Sequence, residues 1–165
     1  MSTPLQISLA DDGTVPNSPL PLLVYEAALA DRAAGAVQDL FAANGWPGGW
    51  VNGVFTHHHY HSTAHEVLGV ISGWAEVLFG GPAGKRLRVE AGDVVVVPAG
   101  VAHCNVGQGD GFSCVGAYPA GQHPDHCRDT GADRDDALAN IAAVPLPAQD
   151  PVHGSKGPLL EAWGG

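Results

Sequence analysis

Residues 92–100 read Gly-Asp-Val-Val-Val-Val-Pro-Ala-Gly, and this run of four valines constrains the fold more than any other stretch. β-Branched side chains are stiff at χ1 and suit the pleated surface of a strand. Four in succession leave no face for water, so the strand must be covered on both sides. One face meets the core; the other meets a second layer or another subunit. Glycine, aspartate and proline at the two ends are turn residues, which keeps the strand short.

Further short strands at regular spacing surround it. Residues 20–25 suit an edge strand, because their prolines cannot donate to a ladder. Residues 51–60, 66–71 and 74–79 follow, the last entered through Ser72-Gly73. Gly80-Gly-Pro-Ala-Gly84 is a turn, and residues 86–90 alternate polar with apolar. Residues 101–106 and 112–118 are two more strands, separated by Gly107-Gln-Gly-Asp-Gly111. A total of 23 glycines and 13 prolines favours such strands over long helices. One helix stands out over residues 31–44. Ala33, Ala34, Val37, Leu40 and Phe41 recur at helical spacing, with Asp31 as N-cap and Gly45 as the terminating glycine. Trp46 and Trp50 lie in the Gly/Pro break after it, where they either pack the helix onto the body or wall a pocket.

The expectation is an all-β sandwich or barrel forming a single domain over residues 1–165. Residues 1–50 supply a proline-rich arm and the helix, 51–118 the barrel, and 119–165 a loop-rich tail. That tail carries a short helix at 135–143 and ends in apolar residues that dock on the body.

A formal charge of −10 opposes binding to nucleic acid or anionic lipid. The basic cluster Lys85, Arg86 and Arg88 reads as a solvated hairpin tip. No apolar run reaches the ~20 residues that span a bilayer. The N-terminus lacks the basic flank and apolar core of a secretory signal. Cys104, Cys114 and Cys127 are odd in number and form no C-x-x-C pair, which argues against a disulfide framework and fits a reducing cytoplasm.

Five of the nine histidines, His57, His58, His59, His61 and His65, fall within nine residues and precede Glu66. On a strand, His59 and His61 point the same way with Cα atoms about 7 Å apart. Two imidazoles and a carboxylate suit Fe, Mn, Co, Ni or Zn. His57 shares their parity and would stand at the pocket mouth. His58 and Tyr60 have the opposite parity and pack or face solvent. His65, across a turn, is an alternative to Glu66. His123, Asp125, His126 and Cys127 are either a second metal site or simply polar, and Cys104 reads as a small buried residue.

Gly53, His59, His61, Glu66 and Gly73 fall in the spacing G-x5-H-x-H-x4-E-x6-G. Gly92, Pro98, Gly100 and His103 follow G-x5-P-x-G-x2-H, while Asn105 lies two residues after the histidine instead of four. In these positions the chain resembles the cupins. Its helical N-terminal segment and its tail also look similar to small single-domain bacterial cupins. The resemblance implies a jelly-roll barrel in which His59, His61, Glu66 and His103 converge on one divalent transition metal, leaving positions open for water or a small-molecule substrate. It also implies a homodimer, a common cupin arrangement that the four-valine strand and apolar helix face would serve. With Fe(II) such a site suits a dioxygenase, and with Mn, Ni or Zn an isomerase or lyase acting on a hydroxy-carbonyl or sugar-like compound. A non-catalytic module that binds or senses a small ligand is the alternative. His57, His65 and Tyr118 are the candidate general acids or bases.

Overall fold

The arm begins as a strand. In the computed structural model, which describes residues 3–164, Leu5–Leu9 (β1) pairs antiparallel with Ser18–Tyr25 (β2). The second strand is therefore interior to the sheet. Only Leu23–Tyr25 pair onward with the four-valine strand, so Pro19 and Pro21 lie outside that ladder.

The helix Ala34–Ala43 (α1) starts later than the sequence predicts. Asp31 accepts from the Ala33 N–H at 2.9 Å as a local turn, and Ala33 occupies the cap without a side-chain bond. Its end is as expected. Gly45 has φ +84°, its N–H reaches the Ala42 carbonyl, and the Trp46 N–H reaches the Phe41 carbonyl, a Schellman ending.

Residues 51–60 do not form one strand. Trp50–Asn52 (β3) and His59–Tyr60 (β4) are separated by an irregular segment that carries His57 outside any ladder. Conversely, residues 66–79 form one long strand, Glu66–Phe79 (β5), that bends at Gly73. There φ is +66°, and a Cβ would lie 2.5 Å from the Gly109 carbonyl oxygen, so only glycine fits the bend. Lys85–Glu90 (β6) and Val94–Val97 (β7) follow. His103–Ala117 (β8) is likewise continuous. Residues 107–111 are an irregularity in its pairing with β5 instead of a loop. Cys127–Arg128 (β9), Arg134–Ala143 (α2) and Pro158–Gly164 (α3) complete the chain.

The strands make one curled antiparallel sheet in the order β1-β2-β7-β5-β8-β4-β9, with β3 on β8 and β6 on β5. It is the jelly roll that the resemblance implies. Each face of β7 finds a cover within the chain. Val95 and Val97 pack inside the curl with Leu22, Val70, Val77 and Phe79. Val94 and Val96 pack outside it with Val37 and Phe41 of α1 and Leu159 and Trp163 of α3. At about 1.5–3 kcal/mol per fully buried aliphatic side chain, both layers are substantial. The second layer is thus helical and intramolecular, and β7 needs no second subunit to bury it.

The tail docks through specific bonds as well as apolar contacts. The Tyr25 hydroxyl donates to the fully buried Asp150 carboxylate at 2.5 Å, and that carboxylate also accepts from the Val152, His153 and Leu159 N–H groups. The Trp163 indole N–H donates to the Pro21 carbonyl at 2.9 Å. No helix among the described residues is long and apolar enough to cross a membrane.

Candidate metal centre

Four polar side chains meet where three strands begin. His59 on β4 lies directly across from His103, the first residue of β8. Glu66 opens β5 opposite Val97, and His61 follows β4 by one residue. The side-chain nitrogens of His59, His61 and His103 lie within 4.8 Å of one another. Glu66 Oε1 is 3.1 Å from His103 Nε2 and 3.5 Å from His61 Nε2. All four residues are buried, Glu66 to 2% exposure.

Burying a carboxylate among imidazoles is costly unless something is shared between them. His61 Nδ1 lies 2.5 Å from the Asp125 carbonyl, and His103 Nδ1 lies 3.1 Å from the Val101 carbonyl. A carbonyl can only accept, so both Nδ1 atoms carry hydrogen. In the neutral rings both Nε2 lone pairs then face the Glu66 oxygen. Only a proton or a cation between them relieves that contact. Burial would raise the Glu66 pKa, yet the two imidazoles hold it well below the carboxylate range. Burial, with His103 and His61 beside it, pushes His59 down to about 2, so this ring stays neutral. At His61 burial acts downward too, but Glu66 and Asp125 outweigh it and raise the value. His59 Nδ1 and His61 Nε2 are buried without a hydrogen-bond partner. Three imidazoles, which lose their inward protons to a metal, and one ionised carboxylate make a donor set that fits a divalent transition ion.

These residues line a cavity of about 280 Å³. Its other walls are Trp50, Val54, Phe55, Leu68 and Tyr118, with Asn52 and Gly53 at one side. The Trp50 indole N–H donates to the Tyr118 hydroxyl at 3.0 Å. Burial and the nearby Glu66 charge raise the Tyr118 phenol well above its usual range, so it keeps its proton. The two tryptophans divide the roles expected of them: Trp46 is fully buried in the core, and Trp50 walls the cavity.

Two candidates do not line the cavity. His65 points away from the cavity. Its Nδ1 accepts from the Ala99 N–H at 2.9 Å, and its ring packs on Trp163. It cannot replace Glu66, because the first residue of β5 is where the side chain turns inward. His57 stands at the rim, stacked on Phe55 and with Nε2 3.3 Å from His126 Nε2. His126 in turn lies parallel to His59, ring centroids 5.1 Å apart. Cys104 is buried, and all three cysteines are free.

His123, Asp125, His126 and Cys127 do not converge as a metal cluster. Asp125 and His123 instead clamp the segment that follows His61. The Asp125 carboxylate accepts from the Ser62 N–H at 2.6 Å and from the Ser62 hydroxyl, while the Thr63 hydroxyl donates to the His123 carbonyl at 2.7 Å. This holds the Asp125 carbonyl on His61 Nδ1. No spacing rule links residues 61 and 125, so sequence reasoning missed it. Asn105 likewise acts through its backbone, its N–H donating to the Phe55 carbonyl at 2.8 Å.

A family model described as "Cupin domain" matches residues 47–115. The uncharacterised protein YjlB of Bacillus subtilis (strain 168) is 41% identical over 154 residues, 93% of this chain and 92% of that protein. Among solved structures, an acireductone dioxygenase from Bacillus anthracis with cadmium in its active centre is 20% identical. The match covers 56% of this chain and 63% of that one at a TM-score of 0.39. An uncharacterised protein with a double-stranded β-helix domain from Klebsiella pneumoniae is 17% identical, covering 78% of this chain and 82% of that one at a TM-score of 0.37. With the motif spacing, the curled sheet and a relative matched almost end to end, the chain belongs to the cupin family.

Proposed function

We propose that this cupin is a metal-dependent enzyme acting on a small molecule, with His59, His61, Glu66 and His103 holding one divalent transition ion (Fe, Mn, Co, Ni or Zn). The observation that carries the reading is the buried Glu66 oxygen 3.1 Å from His103 Nε2 and 3.5 Å from His61 Nε2, the latter without a hydrogen-bond partner. When bound, such an ion supplies Lewis acidity for isomerase-like chemistry or, as Fe(II), the oxygen chemistry of a dioxygenase. The chain's own residues supply the rest. The carbonyls of Asp125 and Val101 orient His61 and His103. Tyr118 holds a proton at its hydroxyl beside the cavity, and the Trp50 N–H fixes the position of that oxygen. A half-buried proton donor held in place beside the cavity favours an enzyme over a module that only binds or senses a ligand. Three free, buried thiols support a reducing compartment such as the cytoplasm.

Elemental analysis of untagged protein tests the reading, alongside a His59→Ala, His61→Ala double variant. Close to one metal per chain is expected, lost in the variant. Folded protein that takes up no metal after reconstitution would overturn it.

A further inference from the structure

Beyond the four metal-ligand candidates, the cavity is a poor place for charge. Among the described residues that line it, none is lysine or arginine. Of the seven cationic side chains in the protein, Arg134 is paired with Asp11 and Arg88 lies over the Trp74 ring. Arg128 on β9 is the nearest by register, opposite His59, but it is exposed and does not line the cavity. The remaining walls are Trp50, Val54, Phe55 and Leu68, with Tyr118, Asn52 and Gly53 beside them.

We propose that the physiological ligand carries a single oxygen-bearing head and an uncharged, apolar tail about the size of one ring. The inference rests on the metal reading above and narrows its substrate class. A divalent ion with the single Glu66 charge leaves one net positive charge for the head. A second anionic group set against Trp50, Val54 and Leu68 would lose water without gaining a cationic partner, which is unfavourable. A polyol fares little better, because among the described residues the only polar side chains lining the cavity besides the four metal-ligand candidates are Tyr118 and Asn52, too few to replace the water a polyol would lose. Size agrees: an apolar cavity of about 150 Å³ holds a benzene, and 280 Å³ holds a ring with a short chelating head.

Phe55 gives the tail its seat. It is 55% exposed, unusual for a residue so constrained. Its ring stacks on His57 at 5.0 Å and meets His59 and His126 edge-on at 5.1 and 5.4 Å. Its backbone carbonyl is held by the Asn105 N–H. A pinned, solvent-facing ring beside a cavity offers apolar area without ordering cost.

Calorimetric titration of the metal-loaded full-length protein with three hydroxamates of one chelating head tests this. Benzohydroxamate should bind at least about tenfold tighter than acetohydroxamate. A 4-carboxylate on the ring should erase most of that gain. Phe55→Ala should bring the benzo-to-aceto ratio towards one with metal content unchanged, and Phe55→Leu should restore part of it. Equal affinity for the first two ligands, or tighter binding of the carboxylated one, would overturn the tail preference while leaving the metal site standing. No binding of any hydroxamate to protein shown to hold metal would remove the open site itself, and the proposal with it.

Discussion

Replacing Tyr118 with Phe removes one oxygen from the cavity wall and leaves the ring in place. Under the enzyme reading, turnover falls by about 10²–10⁴-fold, and metal content stays as in the parent protein. The Trp50 N–H loses its acceptor, which costs stability of about 1 kcal/mol. Unchanged turnover on a true substrate would remove Tyr118 from the chemistry. Asp125 acts at one remove. Asp125→Ala frees the segment whose carbonyl orients His61, so metal affinity in a competitive chelator titration should weaken by about tenfold, with circular dichroism unaltered. At this scale much was legible. His59 and His61 share a face by strand period, Glu66 follows at motif spacing, and the resemblance adds His103. The Asp125 clamp and the turning away of His65 were not legible, because both depend on segments that meet only after the sheet has curled.

Elements with an internal period were readable, and elements defined by a bend were not. The four-valine strand β7, the alternating strand β6 and helices α1 and α2 lie close to where their patterns put them. Ser72-Gly73 and residues 107–111 look like loops by composition, yet they are paired irregularities in two long strands that run side by side. Glycine marks a bulge as readily as a turn, and local sequence does not distinguish them. The tail illustrates the same limit. Its last apolar residues were expected to dock, but Asp150 organises the docking from a fully buried position. Asp150→Ala would leave the Tyr25 hydroxyl and three backbone N–H groups without their acceptor. Removing one member of such a buried charged network costs about 3–5 kcal/mol. Denaturant unfolding should show that loss at unchanged slope, and a loss below 1 kcal/mol would mean the tail contributes little.

For the whole molecule, an ion held as proposed would link β4, β5, β8 and the turn after β4 through four side chains. Metal that binds only the folded state stabilises it by about 2.7 kcal/mol at a free concentration of 100 Kd. Differential scanning fluorimetry should therefore show a higher Tm with metal than with chelator. The His59→Ala, His61→Ala variant should show the same Tm in both. A second subunit is not required to cover β7, since α1 and α3 already do so. By itself the sequence determined the β character, the buried valine strand, the terminated helix, and the identity and spacing of the candidate metal ligands. All of these follow from side-chain period, turn chemistry and a motif spanning some fifty residues. Only the tertiary structure decided what covers the second face of that strand, which tail residue orients His61, and that the cavity around the candidate ligands is mostly apolar, with no lysine or arginine among the described residues that line it. Those properties arise largely from segments far apart in the chain, brought together by burial of apolar surface, which is non-directional and leaves no local signature in the sequence.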